Sequence, residues 1–308
     1  MIEGDRILVT GGAGFIGSAV AERLATDNFV TVFDNFSTGK RENLATVPDQ
    51  VIDGDVRDQA ALVSALEGHD TVVHLAAMMG VRRTLENPQE VVRVNVGGLR
   101  SVLNAAVRTG VDRVLVASTS EVYGDAPAVP YSEGDTKDPK TTYASAKLDG
   151  EGLTRQIASK ADFDYTILRY FNVYGPRQDA SEYGYVVPIF VRQALSNSPI
   201  TVHGDGDQTR DFTYISDAVT ATVAALGPAG RNETFNVGTG SETSIHELAQ
   251  TVKRSVDATA ITHVEHPRPY VVRRRCADIE KVRTELSYDP QYDLSEGIDR
   301  MLERHAAE

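Results

Sequence analysis

Short apolar runs rich in Val, Ile, Leu and Phe recur along the first 170 residues, with amphipathic stretches between them. Runs at 5–10, 29–34, 50–53, 71–75, 113–119 and 164–169 read as strands, and the longest helical patterns lie near 88–109 and 142–160. Strand and helix alternating in this way predict an α/β fold. The expected core is a doubly wound parallel sheet with ligand at the carboxyl ends of its strands. Beyond residue 170 the strict alternation fades. Loops such as Tyr174-Gly175-Pro176-Arg177 and His203-Gly204-Asp205-Gly206 interrupt shorter elements there. A smaller carboxy-terminal lobe is therefore expected, with roughly 211–237 returning to the first.

The first strand runs into Thr10-Gly11-Gly12-Ala13-Gly14-Phe15-Ile16-Gly17, which opens an amphipathic stretch. A glycine turn between strand and helix lets backbone N–H groups at a helix N-terminus face a pyrophosphate. Gly11 permits the turn, Gly14 admits close approach, and Gly17 lets the helix lie near the strand. The second strand ends at Asp34, 17 residues beyond Gly17. A carboxylate there would grip the adenosine ribose hydroxyls and disfavour a 2′-phosphate, which points to NAD rather than NADP. The bland alternative is an ordinary βαβ unit with a chance glycine turn.

Composition narrows the class. The chain has 308 residues, 41% hydrophobic and 24% charged, as in a soluble globular protein, and can bury a large core. No apolar run approaches a membrane span, and MIEGDR has no signal-peptide features. One cysteine, Cys276, excludes an internal disulfide and an all-cysteine metal site, so a cytoplasmic enzyme is the simplest expectation. A net charge of −13 argues against nucleic acid as partner. It also draws notice to arginines in polar loops, because an acidic chain that binds an anion must place positive charge locally.

Tyr143 and Lys147 stand four apart on a predicted helix and share one face. An ammonium near a tyrosine hydroxyl favours phenolate, as does an oxidised nicotinamide, and such a tyrosine can act as general base toward a sugar hydroxyl. Taken alone, the pair reads as an exposed helix face. Strand 113–119 ends in Ala117-Ser118-Thr119-Ser120-Glu121-Val122-Tyr123-Gly124, whose hydroxyls sit where substrate would lie or else bond their own backbone.

Together, the glycine turn, Asp34-Asn35, His74-Leu75-Ala76-Ala77, Ser118–Gly124, Tyr143/Lys147 and Leu168-Arg169-Tyr170-Phe171-Asn172 resemble, in order and over nearly the whole chain, the extended short-chain dehydrogenase/reductases. Within them the chain looks like the NAD-dependent nucleotide-sugar epimerase/dehydratase group, in the manner of UDP-glucose 4-epimerases. The resemblance implies a Rossmann domain over 1–169, rejoined by roughly 211–237, that holds NAD. It implies a nucleotide-sugar lobe over 170–210 and 238–308, and a homodimer packed through the helices near 88–109 and 142–160. Carried over by motif, Thr119 assists Tyr143, and Lys147 holds the nicotinamide ribose. Gly11, Gly14, Phe15, Ile16 and Gly17 form the pyrophosphate turn, while Asp34, Asn35, Ser37, Thr38 and Gly39 match the adenosine ribose segment. Asp55 and Val56 flank adenine. Leu75, Ala76, Ala77, Asn95, Ser118 and Tyr170 line the cofactor. Asn172, Arg210 and Arg268 match the residues that hold the sugar diphosphate of a UDP-sugar. The expected reaction is redox-neutral 4-epimerisation through a 4-keto sugar, with no metal.

Two departures stand out. Arg268-Pro269 is followed by Tyr270-Val271 where the group has Pro-Gly-Asp after the arginine. Glu121 stands where simple 4-epimerases carry a small or hydroxyl residue. Thr119-Ser120-Glu121 resembles UDP-glucuronate decarboxylases, and Glu121 alone resembles the base of 4,6-dehydratases, so these two activities are the alternative to epimerisation. A uronate would need an arginine to balance Glu121, and Arg177 is a candidate. Arg273-Arg274-Arg275 could reach phosphate but reads first as a solvated basic edge, and Cys276 as a packed small residue. His203, His246, His263 and His266 lack metal spacing, and Met78 and Met79 could line the sugar pocket or fill core.

Overall fold

The computed structural model describes residues 2–44, 49–125, 128–178, 180–181, 185–256, 260–265 and 272–307. Six strands appear at or within one residue of the expected positions: β1 Arg6–Thr10, β2 Phe29–Asp34, β3 Gln50–Asp53, β4 Thr71–His74, β5 Arg113–Thr119 and β6 Asp164–Tyr170. A seventh, Glu233–Val237, pairs with β6, giving a sheet ordered seventh strand–β6–β5–β4–β1–β2–β3. Every pairing in it is parallel. The chain leaves β1 toward β2 on one side and takes up β4 on the other, so a crevice opens above the carboxyl end of β1.

The two faces follow from the period-2 alternation of strand side chains. Ile7 and Val9 of β1 join Val73 and Leu115 in one apolar cluster. Leu8 joins Val72 and Val114 in the other, and these three stand opposite one another across β1, β4 and β5. Helices cover both faces: α1 Phe15–Leu24 and α2 Gln59–Leu66, then α3 Val81–Glu86, α4 Pro88–Val92, α5 Leu99–Thr109 and α6 Thr142–Ala158. Leu99, Val102, Leu103 and Ala106 of α5 form its buried stripe at helical spacing. Gly110 at φ 73° then closes the helix with a left-handed cap.

The pattern near 88–109 predicts one helix, but the structure breaks it. Between α4 and α5 the segment Arg93–Gly98 takes a wider π-helical turn. Gly98 lies so close to Val56 that a Cβ there would meet Val56 Cγ2 at 2.6 Å. The extra residue in the turn swings Asn95 inward, where its amide both donates to and accepts from the backbone of Met78.

After β6 the chain builds short pairs instead of a large sheet. Val173–Tyr174 pairs with Thr213–Tyr214, Thr209–Arg210 with Thr243–Ser244, and Ile200–His203 with Ile261–Val264. Helices Val186–Leu195 and Ile245–Ser255 pack on this set, the latter opened by a Ser244/Glu247 capping box. Among the described residues, no helix is long and apolar enough to cross a membrane.

Candidate active site

The glycine turn is built as its spacing requires. Gly11 has φ 71°, and a Cβ on it would lie 2.6 Å from the Ala76 backbone nitrogen. A Cβ on Gly17 would lie 2.1 Å from the Gly11 carbonyl. Helix α1 begins after Gly14 with no side-chain cap and no acidic residue in its first turn, while Phe15 and Ile16 are half-buried at its start. A helix end left with free N–H groups and no anion of its own fits a pyrophosphate.

Asp34 is buried beside this turn, accepting from the Ala13 N–H at 2.9 Å and the Phe36 N–H at 2.8 Å. Gly39 closes on it, since a Cβ there would stand 3.0 Å from Asp34 Oδ2. Asn35 Oδ1 accepts from the Ser37 N–H, and Thr38 lies in the same bend. Asn35 also donates to Asp55, whose carboxyl is held well below the ordinary range chiefly by its hydrogen bonds with Arg57. Val56 is buried, and the Leu75 N–H donates to the Thr10 carbonyl, carrying Leu75, Ala76 and Ala77 past the turn. Asp34, Asn35, Gly39, Asp55 and the Ala76 backbone are thus linked by contacts around the glycine turn. Tyr170 is buried, and its hydroxyl is engaged with Thr222 at 2.7 Å, so only its ring and backbone are left to touch a cofactor.

At the carboxyl end of β5, Thr119 lies near enough to the Tyr143 hydroxyl to lower its pKa, and Thr119 Oγ1 accepts from the Glu121 N–H at 3.2 Å. Lys147 is buried; its Nζ donates to the Ala117 carbonyl at 2.9 Å and stands 6.0 Å from the centre of the Tyr143 ring. Burial alone pulls its pKa down to about 8. One expectation needs correction. Burial raises Tyr143 well above the ordinary phenol value, the nearby Tyr185 and Glu121 add to that, and the nearby Thr119 hydroxyl only partly offsets it. The ammonium lies against the ring and is tied to Ala117, so the chain's own residues leave Tyr143 protonated at neutral pH. His74, bonded to Thr10 Oγ1 at 2.8 Å, is pushed down to about 3 by burial and then by the Lys147 charge, and stays neutral.

Glu121 is half-buried and accepts from Thr141, the residue that caps α6. Its charge therefore lies at the mouth of the helix that bears Tyr143. Tyr185, just ahead of the helix Val186–Leu195, lies near enough to Tyr143 to perturb it. Nothing in the sequence singled it out.

Arg177, the candidate counter-charge for Glu121, is turned elsewhere. It ion-pairs with Glu22 at 3.1 Å and donates to Ser18 on α1. Asn172, at φ 26°, donates to the Asp211 carbonyl, and Arg210 donates to the carbonyls of Thr209 and Val272. Arg268, with Tyr270, Val271 and His266, lies outside the described residues. The Arg273–Arg275 triple is not one solvated edge: Arg273 pairs with Asp205 and Arg274 with Glu242, but Arg275 is buried. Cys276 is packed, and burial pushes its thiol up to about 12.

Sequence reasoning also passed over a buried ionic network beneath α6. Glu151, four residues beyond Lys147, accepts from Arg169 Nε at 2.8 Å and Nη2 at 2.6 Å, and from Ser118 Oγ at 2.7 Å. Burial drives its carboxyl up, but these bonds outweigh burial and leave it below the ordinary value. Arg169 continues to Tyr123, and Tyr123 to Asn236. The available signal was a charge inside the otherwise apolar end of β6.

The chain matches the NAD dependent epimerase/dehydratase family over residues 7–238. It is 37% identical to a UDP-N-acetyl-alpha-D-glucosaminuronate decarboxylase of Bacillus cytotoxicus over 315 aligned positions, covering 97% of each chain. It is equally 37% identical to a UDP-glucose 4-epimerase of Mycolicibacterium smegmatis, again over 97% of both. Among solved structures it resembles the UDP-glucose 4-epimerase of Thermotoga maritima with UDP-glucose. The TM-score is 0.94 at 33% identity, covering 98% of this chain and 100% of that one.

Proposed function

This chain belongs to the NAD-dependent epimerase/dehydratase family, and from that premise we propose that it is a UDP-sugar 4-epimerase that keeps NAD bound through each turnover. The observation that carries the reading is the convergence of Thr119, Tyr143 and Lys147 at the end of β5, beside a glycine turn that admits a pyrophosphate. Phe15, Ile16 and Gly17 at the start of α1 would hold the pyrophosphate, Asp34 with Asn35 to Gly39 the adenosine ribose, and Asp55 and Val56 the adenine edge. Lys147 would hold the nicotinamide ribose, with Leu75, Ala76, Ala77, Asn95, Ser118 and Tyr170 along the groove.

When bound, NAD supplies a cationic ring that draws the Tyr143 pKa down and a place for the C4 hydride to rest while the sugar turns over. Tyr143 takes the proton from the 4-hydroxyl and later returns it, with Thr119 holding both oxygens in register. Lys147, fixed by Ala117, keeps its charge beside the phenol face. Asn172, Arg210 and Arg268 hold the diphosphate, and the segments 170–210 and 238–308 form the lobe that carries it. We expect a cytoplasmic homodimer packed through α4 to α6, where Val92 and Val107 stand exposed.

Replacing Tyr143 by Phe removes the proton acceptor and should lower the rate by well over about a hundredfold, with NAD content and circular dichroism unchanged. Turnover near wild type would remove Tyr143 from the mechanism. A second reading has a specific observation behind it: Glu121 lies within electrostatic reach of Tyr143, as a base near C5 must. Decarboxylation of a uronate or 4,6-dehydration would use the same 4-keto sugar. Glu121→Gln should cost such an enzyme about a hundredfold or more and a simple epimerase little, assayed as product formed by NMR.

A further inference from the structure

Arg177 follows the short strand Val173–Tyr174 but places its guanidinium on α1. Nη2 stands 3.1 Å from Glu22 Oε2, and Nη1 donates to Ser18 Oγ at 3.2 Å. The Arg177 side chain is 16% exposed and Ser18 is fully buried, so most of this contact lies out of solvent although Glu22 is half-exposed. Ser18 carries it to the start of the helix. Its hydroxyl donates to the Phe15 carbonyl at 3.3 Å and its N–H to the Gly14 carbonyl at 3.0 Å. The same loop also lies on Phe15 directly, since a Cβ on Gly175 would stand 3.6 Å from Phe15 Cε2.

The backbone at Arg177 gives the contact its weight. Its φ is 71°, in the left-handed region that a residue with a Cβ enters at a cost of about 1–2 kcal/mol. Glycine would take the same turn without strain. An arginine held there has contacts that offset the strain, and those contacts are with α1. They reach a helix that has no anchor of its own at its first turn. α1 opens after Gly14 with no side-chain cap and no acidic residue in that turn, which leaves its N–H groups to an anion. Glu22, in the second half of the same helix, is a negative charge that opposes such an anion, and the Arg177 cation offsets it.

We propose that Arg177 is a positioning residue for the cofactor: its strap to Glu22 and Ser18 holds the first turn of α1 against the pyrophosphate and so slows the release of NAD. This rests on the placement of the pyrophosphate at the start of α1. A redox-neutral enzyme has to keep its cofactor from one turnover to the next. The strap gives that task to a loop that leaves the short strand Val173–Tyr174, outside the seven-stranded sheet. Arg177 touches neither NAD nor sugar in this account; it acts through the seat of α1.

The rate of NAD release from the loaded protein tests this, with released NAD trapped as NADH by a second dehydrogenase and its alcohol. Arg177→Gly should release NAD roughly threefold to tenfold faster than wild type. Arg177→Lys, which keeps the charge but not the fork, should recover part of the difference. Because the two side chains act as a pair, Arg177→Gly combined with Glu22→Gln should release no faster than Arg177→Gly alone. NAD-free Arg177→Gly should melt close to wild type, since relief of the left-handed backbone offsets the lost ion pair. With excess NAD its kcat should return to the wild-type value. Release at the wild-type rate overturns the proposal. So does an NAD-free Arg177→Gly that melts well below wild type, for then the strap serves the fold. A kcat that stays low in excess NAD also overturns it, by placing Arg177 at the substrate. Wild type that holds no NAD overturns the pyrophosphate placement and this proposal with it.

Discussion

The two halves of the molecule hold themselves together by different means. The sheet half is a hydrogen-bonded ladder with an apolar cluster on each face, and beneath α6 the buried Glu151 is matched by Arg169 and Ser118. The other half has, among the described residues, two-stranded pairs over an apolar cluster it shares with one face of the sheet, and buried carboxylates of the returning segment 211–237 tie it to distant stretches. Asp211 accepts from the N–H and hydroxyl of Thr239 and from the N–H groups of Gly240 and Ala277. Asp217 does the same for Gln291 and Tyr292. In the function proposed above, the cofactor would lie on the half whose geometry is set by a repeating ladder, and the substrate on the half joined to it by individual straps. A ladder fixes atoms within narrow limits, as proton and hydride transfer need. Straps can be exchanged one residue at a time, as a change of sugar needs.

The largest expected effect lies under α6. Glu151→Gln leaves Arg169 charged and buried without its carboxylate, a loss of about 3–5 kcal/mol. Because Ser118 and α6 both rest on that carboxylate, urea unfolding should show the whole sheet half weakened and turnover reduced with it. Unfolding at wild-type urea concentrations would show that the pair is not what seats α6. A smaller effect should follow Asp211→Asn, which keeps one acceptor oxygen and turns an amide toward two backbone donors, at about 1–3 kcal/mol. Hydrogen exchange should then quicken at residues 239, 240 and 277 while 114–118 in β5 stay protected. Equal quickening in both places would mean that the halves do not differ in the way described.

The difference also explains what could be read from the sequence. Period-2 runs such as Ile7-Leu8-Val9 and helical stripes such as Leu99, Val102, Leu103 and Ala106 report burial directly, so the sheet and its order of elements were legible. The glycine turn was legible because close backbone approach excludes a Cβ at Gly11 and Gly17. The π-helical turn at Arg93–Gly98 was not, because it depends on Asn95 meeting Met78 across a loop. The pairing of Arg177 with Glu22 was equally hidden, joining residues 155 apart in sequence. Nor does a run of three arginines announce that one of them is buried. The segment lies beside Thr209–Asp211, joined to it by backbone hydrogen bonds that no local pattern reveals.

The most direct test of the account is a proton NMR time course of purified protein, with no NAD added, on UDP-glucose, UDP-N-acetylglucosamine and UDP-glucuronate in separate tubes. The account predicts new anomeric signals of a 4-epimer in at least one tube, with no net change in nicotinamide absorbance. Pentose or 4-keto-6-deoxy signals would transfer the chain to the decarboxylase or dehydratase reading and make Glu121 catalytic. Silence in all three tubes from NAD-loaded protein would contradict the proposed activity.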